Sequence, residues 1–475
     1  MVTRPRIALR DTLRRRFAFW QALTPPQLFA GSFFGLIVLG TAGMMALPGL
    51  YTGAPLSWLD ALFTVTSAVC VTGLIVADTA TVFTTFGQAY LLLLIQLGGL
   101  GMFTFTTLII LAIGQRLSLR QEALVSSVAA VAPEVDYRRL TRDILGFTLL
   151  FEAAGALLLY LFWVPDFGWG AAVWPAVFHA VSAFCNAGFS TFSDSLMGFQ
   201  REPHVQLVVM VLILAGGLGF LTLEELFLWY RARRKSAEAR RFSLSIHSRL
   251  VLLVTAGLTL LGWALFTFFE WHVAFREMPA WARVVNGLFL SVTPRTAGFN
   301  TIDYGQATVG TNFLTILLMS VGGSPGSTAG GIKTTTIALI GLLAWARLQG
   351  REVIHLWGRS VPEETVQRAV GLFVLAFGLM TACIFVFTAT EVGNLPHGEV
   401  ESGLLSYMFE VASAFNTVGL SMGVTEGLST TGRWATILLM FIGRVGPLTF
   451  AAALALRRGL PARRFRYAYE DVIIG

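Results

Sequence analysis

Four short segments carry glycines in a pattern that could strip and hold a metal cation. Ser67-Ala-Val-Cys-Val-Thr-Gly73-Leu, Ser182-Ala-Phe-Cys-Asn-Ala-Gly188-Phe and Ser413-Ala-Phe-Asn-Thr-Val-Gly419-Leu align without a gap. Thr293-Pro-Arg-Thr-Ala-Gly298-Phe keeps the glycine and the apolar residue after it, but Ser291 stands one residue farther upstream than its counterparts. Backbone carbonyls turned toward a common axis can replace an ion's hydration shell. Glycine suits such a segment because it reaches backbone angles that a Cβ forbids and leaves the path open. The expected carbonyl donors are Val71, Thr72 and Gly73; Asn186, Ala187 and Gly188; Thr296, Ala297 and Gly298; and Thr417, Val418 and Gly419. The side chains of Thr72, Asn186, Thr296 and Thr417 are expected to point away as supports. A single such glycine is weak evidence, because small residues are common in membrane helices for close packing, but four in register are specific.

A second set of residues recurs downstream. Each segment is followed, 24 to 28 residues later, by Gly98-Gly99, Gly216-Gly217, Gly322-Gly323 or Gly443-Arg444. The expectation is a thin, flexible section of helix below each loop, with Arg444 projecting toward the same axis. An intramembrane Arg is costly and faces a cavity or a partner, so Arg444 reads either as a charge that opposes cations or as a carbonyl or ion-pair clamp. In the third quarter Gly322, Gly323, Ser324, Pro325, Gly326, Ser327, Thr328, Gly330 and Gly331, followed by Lys333, cannot stay a regular helix. An irregular loop of small polar residues in that place is a natural gate; the competing reading is a Pro-kinked helix.

These residues must be placed by membrane-spanning elements. Of the 475 residues 55% are hydrophobic and 13% charged, and mean hydropathy is +0.69, more apolar surface than one water-soluble core can hide. Apolar stretches recur, such as Phe29 to Leu47, Tyr90 to Ile113, Thr148 to Val164 and Val205 to Trp229, each near the roughly 20 residues needed to span. The four glycines are 115, 110 and 121 residues apart, so the chain divides into quarters, each with an apolar span, a short amphipathic helix, the glycine loop and a second span. Phe63, Phe178 and Phe409 stand ten residues before their glycines and Leu288 takes that place in the third quarter. Loops re-enter at membrane depth only where protein or a wet cavity receives them. The expected fold is therefore an all-α polytopic membrane protein of four tandem helix, pore-loop, helix repeats around a pseudo-fourfold pore. The expected boundaries are an N-terminal segment 1–24, repeats 25–140, 141–246, 247–360 with loop 322–333, and 361–458, and a tail 459–475.

Charge orients this layout. Segments 1–24, 114–143, 231–249, 347–368 and 457–475 hold 27 of the 34 Lys and Arg and fall on one side, which the positive-inside tendency makes cytoplasmic, with both termini inside. The net charge of +7 then reflects topology and not nucleic-acid binding. Arg14, Arg15 and Arg16 precede the first apolar run without a convincing cleavage site. Cys70, Cys185 and Cys383 give no disulfide framework or metal-ligand spacing.

The four loops, Gly322-Gly-Ser-Pro-Gly-Ser-Thr-Ala-Gly-Gly-Ile-Lys-Thr-Thr-Thr336 and Phe441-Ile-Gly-Arg444-Val-Gly-Pro-Leu-Thr-Phe450 together resemble the Trk/Ktr/HKT superfamily of potassium transporters over nearly the whole chain. The Ser-Pro-Gly-Ser-Thr-Ala-Gly-Gly-Ile-Lys stretch and Tyr469-Glu-Asp-Val-Ile-Ile-Gly475 look most like the Ktr-type membrane subunit, KtrB. The resemblance implies K+ uptake across a bacterial plasma membrane through a pore in each monomer, a homodimer, and a cytosolic ring of KtrA-like nucleotide-binding regulatory subunits. In this family Ser in place of the first filter Gly is associated with Na+ transport, and all four positions here are Gly. No Gly-rich phosphate loop follows a strand, so no organic cofactor is expected in this chain.

Smaller expectations attach to His179 and Glu410 as hydrogen-bonded residues of the short helices, to Asp78 and Asp303 as outer-mouth charges, and to Arg295 as a brace of its loop. Two other classes compete. An alternating-access Na+/K+ symporter would also use a broken helix, but such transporters are usually built from two related halves and not four. An intramembrane enzyme finds no His-Glu-x-x-His or Gly-x-Ser-x-Gly pattern.

Overall fold

The computed structural model describes residues 25–113, 137–235, 243–393 and 403–454. The expected terminal segments 1–24 and 459–475 lie outside these residues, as does most of the basic segment 114–143.

The first helix of each quarter is long and apolar: α1 (Pro25–Ala46), α5 (Tyr137–Phe167), α9 (Ile246–Glu270) and α13 (Glu363–Phe387). Each meets the length and composition needed to cross a bilayer, yet no more than 28% of its most apolar window is buried by protein. Side chains such as Phe34, Leu39, Leu149, Leu150, Leu253, Phe268 and Phe377 are exposed. A helix apolar all round with its apolar residues exposed is matched to lipid.

Four short helices follow: α2 (Trp58–Val69), α6 (Val173–Phe184), α10 (Ala280–Val292) and α14 (Leu404–Phe415). At 12 or 13 residues they cannot span, and most of their residues are buried. Ser57 caps α2 by accepting from the Asp60 N–H at 3.2 Å, which satisfies one of the first-turn donors.

The second half of each quarter is where the repeats diverge. Repeat one has one continuous helix, α4 (Thr85–Ile113), after the single turn α3 (Thr79–Val82). Repeat two breaks between α7 (Pro203–Gly217) and α8 (Phe220–Lys235), with a bend of 103°. Repeat three has α11 (Val309–Met319) and α12 (Thr334–Leu348) separated by a loop, and repeat four has α15 (Thr430–Val445) and α16 (Pro447–Leu454) separated by Gly446. Thus the second spans of repeats two to four are pairs of helices, none long enough to cross alone.

Packing closes the repeats into a ring. Within each repeat the first helix lies along its own short helix, and each second helix reaches the next repeat: α4 touches α6, α7 touches α10, α11 touches α14, and α15 returns to α2. An Arg433–Asp60 ion pair joins the last repeat to the first, beside a Trp58–Trp434 ring contact at 5.7 Å. In repeats three and four a carboxylate near the end of the first span anchors the cap of the second. Glu270 accepts from the Thr308 N–H at 2.9 Å and its hydroxyl at 2.8 Å. Glu391 accepts likewise from Ser429 at 3.0 and 2.6 Å.

Candidate functional site

The four glycine loops meet at the centre. A Cβ added to Gly73 would overlap the Ala187 carbonyl oxygen, one on Gly188 would lie 2.8 Å from that of Ala297, one on Gly298 would overlap that of Val418, and one on Gly419 that of Thr72. Each glycine therefore faces the next repeat in sequence order and the last faces the first, a closed ring with no room for side chains. All four glycines have φ between +70° and +94°, a region where L side chains are strained.

The backbone repeats as closely. Two residues before each glycine, Val71, Asn186, Thr296 and Thr417 have φ of 56°, 60°, 72° and 52°, whereas the residues between have ordinary negative φ. Alternation of left-handed and ordinary φ turns successive carbonyls toward one side, where a strand would send them to opposite sides. The short helices end just before these loops, so the negative ends of their dipoles point toward the centre.

Comparison of the loops corrects the register expected for the third. In repeats one, two and four the N–H before the glycine donates five residues back, to Ser67, Ser182 and Ser413 carbonyls at 2.8 Å; in repeat three the Ala297 N–H donates four back, to Thr293, at 3.0 Å. The third loop is one residue shorter. Thr293 is then the counterpart of the three serines: its hydroxyl donates to the Phe299 carbonyl at 2.7 Å, as Ser182 does to Phe189 at 2.8 Å. Phe289, fully buried, takes the place expected for Leu288. Ser291 instead donates to the Thr259 carbonyl on α9.

The downstream glycines have a different reason from the expected flexibility. A Cβ on Gly98, Gly216 or Gly443 would overlap the carbonyl oxygen of Val69, Phe184 or Phe415 near the end of that repeat's short helix. These glycines give clearance between two helices, and Gly98-Gly99 lies inside unbroken helix. The actual breaks fall at Gly219 (φ 88°) and Gly446 (φ 90°).

Residues 320–333 form an irregular loop between α11 and α12, not a kinked helix. It is buried across the ring's inner side and bonded to repeats two and four. Ser324 and Thr328 N–H groups donate to the Gly217 and Gly216 carbonyls at 3.0 and 3.2 Å, and the Gly326 carbonyl accepts from Phe220 N–H at 3.0 Å. The Thr328 hydroxyl donates to the Phe184 carbonyl, 3.2 Å, and the Ile332 N–H to the Asn416 side chain, 3.2 Å. Gly331 N–H donates to the Gly443 carbonyl at 3.2 Å. Lys333 curls back, its ammonium donating to the Ala329 carbonyl at 2.6 Å.

Arg444 crosses this space. Its guanidinium donates to the Thr328 carbonyl of the loop and, at 2.6 Å, to the Gly98 carbonyl of α4, with Gly99 at 3.4 Å. Among the described residues its partners are carbonyls and not a carboxylate. One side chain of repeat four thus ties the repeat-three loop to the repeat-one helix.

The other expected residues fall as follows. The Asn186 amide and the Thr296 hydroxyl meet at 3.3 Å, but the Thr72 and Thr417 hydroxyls have no partner among the described residues, which does not fit a supporting role. Arg295 braces its loop to α9 through the Thr255 carbonyl and hydroxyl at 3.3 and 3.2 Å. Asp78 caps α3 and accepts from Ser193 of repeat two at 2.6 Å; Asp303 accepts from the Gly305 N–H and Gln306. The three cysteines are buried and free.

A ring of four re-entrant loops, each delivered by a lipid-facing helix and a short buried one, defines a polytopic helical membrane protein of the four-repeat pore-loop class. The chain belongs to the TrkH family of cation transport proteins, whose description matches residues 36–461. It is 38% identical to the Ktr system potassium uptake protein B of Bacillus subtilis, over 92% of this chain and 94% of that protein. It is 36% identical to the potassium/sodium uptake protein NtpJ of Enterococcus hirae, over 95% and 98%. The crystal structure of the potassium transporter TrkH from Vibrio parahaemolyticus matches with a TM-score of 0.66, covering 91% of this chain and 86% of that one at 21% identity, and shares the fold.

Proposed function

We propose that this chain takes up K+ across the bacterial plasma membrane through a channel-like pore whose filter is the ring of four glycine loops. The observation that carries this reading is the cyclic contact of Gly73, Gly188, Gly298 and Gly419, each against the next repeat's carbonyl. Carbonyls of Val71, Thr72, Asn186, Ala187, Thr296, Ala297, Thr417 and Val418, with those of the glycines, take the place of the ion's water. The orphan hydroxyls of Thr72 and Thr417 suit a wet or ion-occupied surface better than a packed one. Relatives named for potassium uptake, and one for potassium and sodium, support the choice of ion.

Passage is controlled below the filter by the loop from Gly322 to Lys333 and by Arg444. The loop obstructs the path while bonded to repeats two and four, and Arg444 adds a positive charge and a latch. Opening requires the loop to leave these partners, work that a regulatory protein can supply. On this reading the chain works as a homodimer served by a cytosolic nucleotide-binding ring. The relatives' naming as Ktr system components supports a partner component, and the one-sided basic segments support both termini on the cytosolic side. An alternating-access Na+/K+ symporter would share the broken third repeat.

Purified protein in liposomes, loaded with K+ or Na+ gradients, separates these readings. Fast, K+-favouring flux that rises when residues 323–331 are shortened supports the gated pore. Slow, saturating flux that requires both ions together would overturn it.

A further inference from the structure

The glycine loops are tied to their short helices at two levels, and the outer level is present in only two repeats. At the inner level every repeat has a tie. The Ser67 and Ser413 hydroxyls accept from the Gly73 and Gly419 N–H at 3.1 and 3.0 Å, while Ser182 and Thr293 donate to the carbonyls of Phe189 and Phe299.

The outer tie joins the residue nine before the glycine to the serine two after it. In repeat two, His179 Nε2 meets the Ser190 hydroxyl at 2.9 Å, and Nδ1 faces the Pro175 carbonyl at 2.8 Å. A carbonyl only accepts, so Nδ1 carries the proton and in the neutral ring Ser190 donates to Nε2. In repeat four, Glu410 accepts from the Ser421 hydroxyl at 2.9 Å and from Thr425 at 2.5 Å. The two serines are held alike: each accepts from the N–H two residues on, Phe192 at 2.9 Å and Gly423 at 3.1 Å. His179 and Glu410 are fully buried.

Repeats one and three lack this tie. The equivalent of His179 in repeat one is Thr64, whose buried hydroxyl has no partner among the described residues, and the serine's place is Ile75. In the shorter third loop the pair is Leu290 and Asn300. Asn300 is held by repeat two, its N–H donating to the Ser195 hydroxyl at 3.1 Å and its carbonyl accepting from the Leu196 N–H at 3.0 Å, and not by its own short helix. Since the ring runs in sequence order, the two braced loops face each other across the axis and the two unbraced loops do likewise.

We propose that His179–Ser190 and Glu410–Ser421 are positioning pairs that set ion selectivity by holding two opposed filter loops against contraction onto a smaller cation; this rests on the glycine ring being the filter. A ring of carbonyls discriminates between K+ and Na+ partly through how far it yields toward the smaller ion. Loops pinned to their own short helix at both levels yield less than loops pinned to it at one, so opposed bracing keeps the ring at the wider spacing. The chemistry of the two pairs differs, but both put a buried polar group of the short helix on the hydroxyl just outside the glycine.

The test uses full-length protein in liposomes and measures K+ and Na+ permeability, half-saturating K+ and maximal flux for Ser190→Ala, Ser421→Ala and the double variant. These changes remove the brace from its loop end and leave His179 and Glu410 in place. The expected result is a roughly three- to tenfold loss of K+ over Na+ preference for each, a larger loss in the double variant, and maximal flux and yield near wild type. Glu410→Gln, which can still bond Ser421 and Thr425, should retain preference where Glu410→Leu loses it. Unchanged selectivity in the double serine variant overturns the proposal. Gly73→Ser is measured in parallel: if it changes selectivity while the serine variants do not, the bracing fails and the filter stands; if it too leaves selectivity unchanged, the filter reading fails.

Discussion

Replacing Arg444 by Ala should turn a restrained pore into an open one. In the structure its guanidinium holds two elements at once, the Thr328 carbonyl of the intramembrane loop and the Gly98 carbonyl of α4. A hydrogen bond from a charged donor contributes about 1.5–3 kcal/mol net, and displacement of the loop breaks at least the Thr328 bond. At about 1.4 kcal/mol per tenfold, its loss shifts the ratio of obstructed to open states by roughly ten- to a hundredfold. The backbone bonds from Ser324, Thr328 and Gly331 to repeats two and four remain, so the loop keeps its fold and only its residence changes. Removing the positive charge also lowers the barrier to a cation, in the same direction. Arg444→Lys should fall between, because one ammonium cannot reach carbonyls on both sides as the guanidinium fork does. The assay is initial K+ flux into liposomes at matched protein content, with size-exclusion profiles to confirm intact protein. Well-folded Arg444→Ala protein with flux at or below wild type would refute the latch.

Further outcomes follow from other contacts. Gly419→Ala must fit a Cβ at φ +94° against the Thr72 carbonyl, so K+ transport should fall at least tenfold; growth on limiting K+ of a host lacking its own uptake systems reads this out. Thr293→Val should reduce K+ over Na+ preference, whereas Ser291→Ala, which loses only a bond to α9, should leave it intact; equal effects would reject the one-residue shift of the third loop. Asp60→Asn or Arg433→Gln breaks the partly buried ion pair that joins the first and last repeats and should lower stability by about 1–3 kcal/mol, seen as a reduced melting temperature in detergent, with a double variant less destabilised than the sum of the two.

The sequence made the fourfold plan legible because the repeat unit is long and its glycine cannot drift: only Gly tolerates both the positive φ and the neighbour's carbonyl at positions 73, 188, 298 and 419. Hydropathy marks the first helices of repeats one and two, at Phe29 to Leu47 and Thr148 to Val164, since lipid demands apolar residues on every face, but it reads Val205 to Trp229 as one stretch where the chain bends by 103°. The second spans were less legible. Their breaks at Gly219 and Gly446 look in sequence like any membrane glycine, while the conspicuous pairs at Gly98 and Gly216 mark close helix contact. The third loop misled because Ser291 and Thr293 are both small hydroxyl residues two apart, and only the bond from Ala297 N–H to Thr293 tells which belongs to the repeat. Phe289, nine before Gly298, was the available signal. His179 and Glu410 stand out as polar residues of the short helices, but their equivalence as outer braces is masked by their difference in type, although both stand nine residues before their glycines. Arg444 stands out by its register with the glycine pairs, but its carbonyl partners depend on a loop whose path no periodicity describes.

The most direct measurement of the central claim is ion throughput per protein in liposomes containing the loop-shortened chain, with K+ and Na+ supplied separately. A gated carbonyl pore predicts channel-like K+ flux that does not need Na+, exceeds that of the unshortened chain, and keeps its preference for K+. Slow K+ movement that occurs only with Na+ present, unchanged by removal of loop residues 323–331, would contradict it.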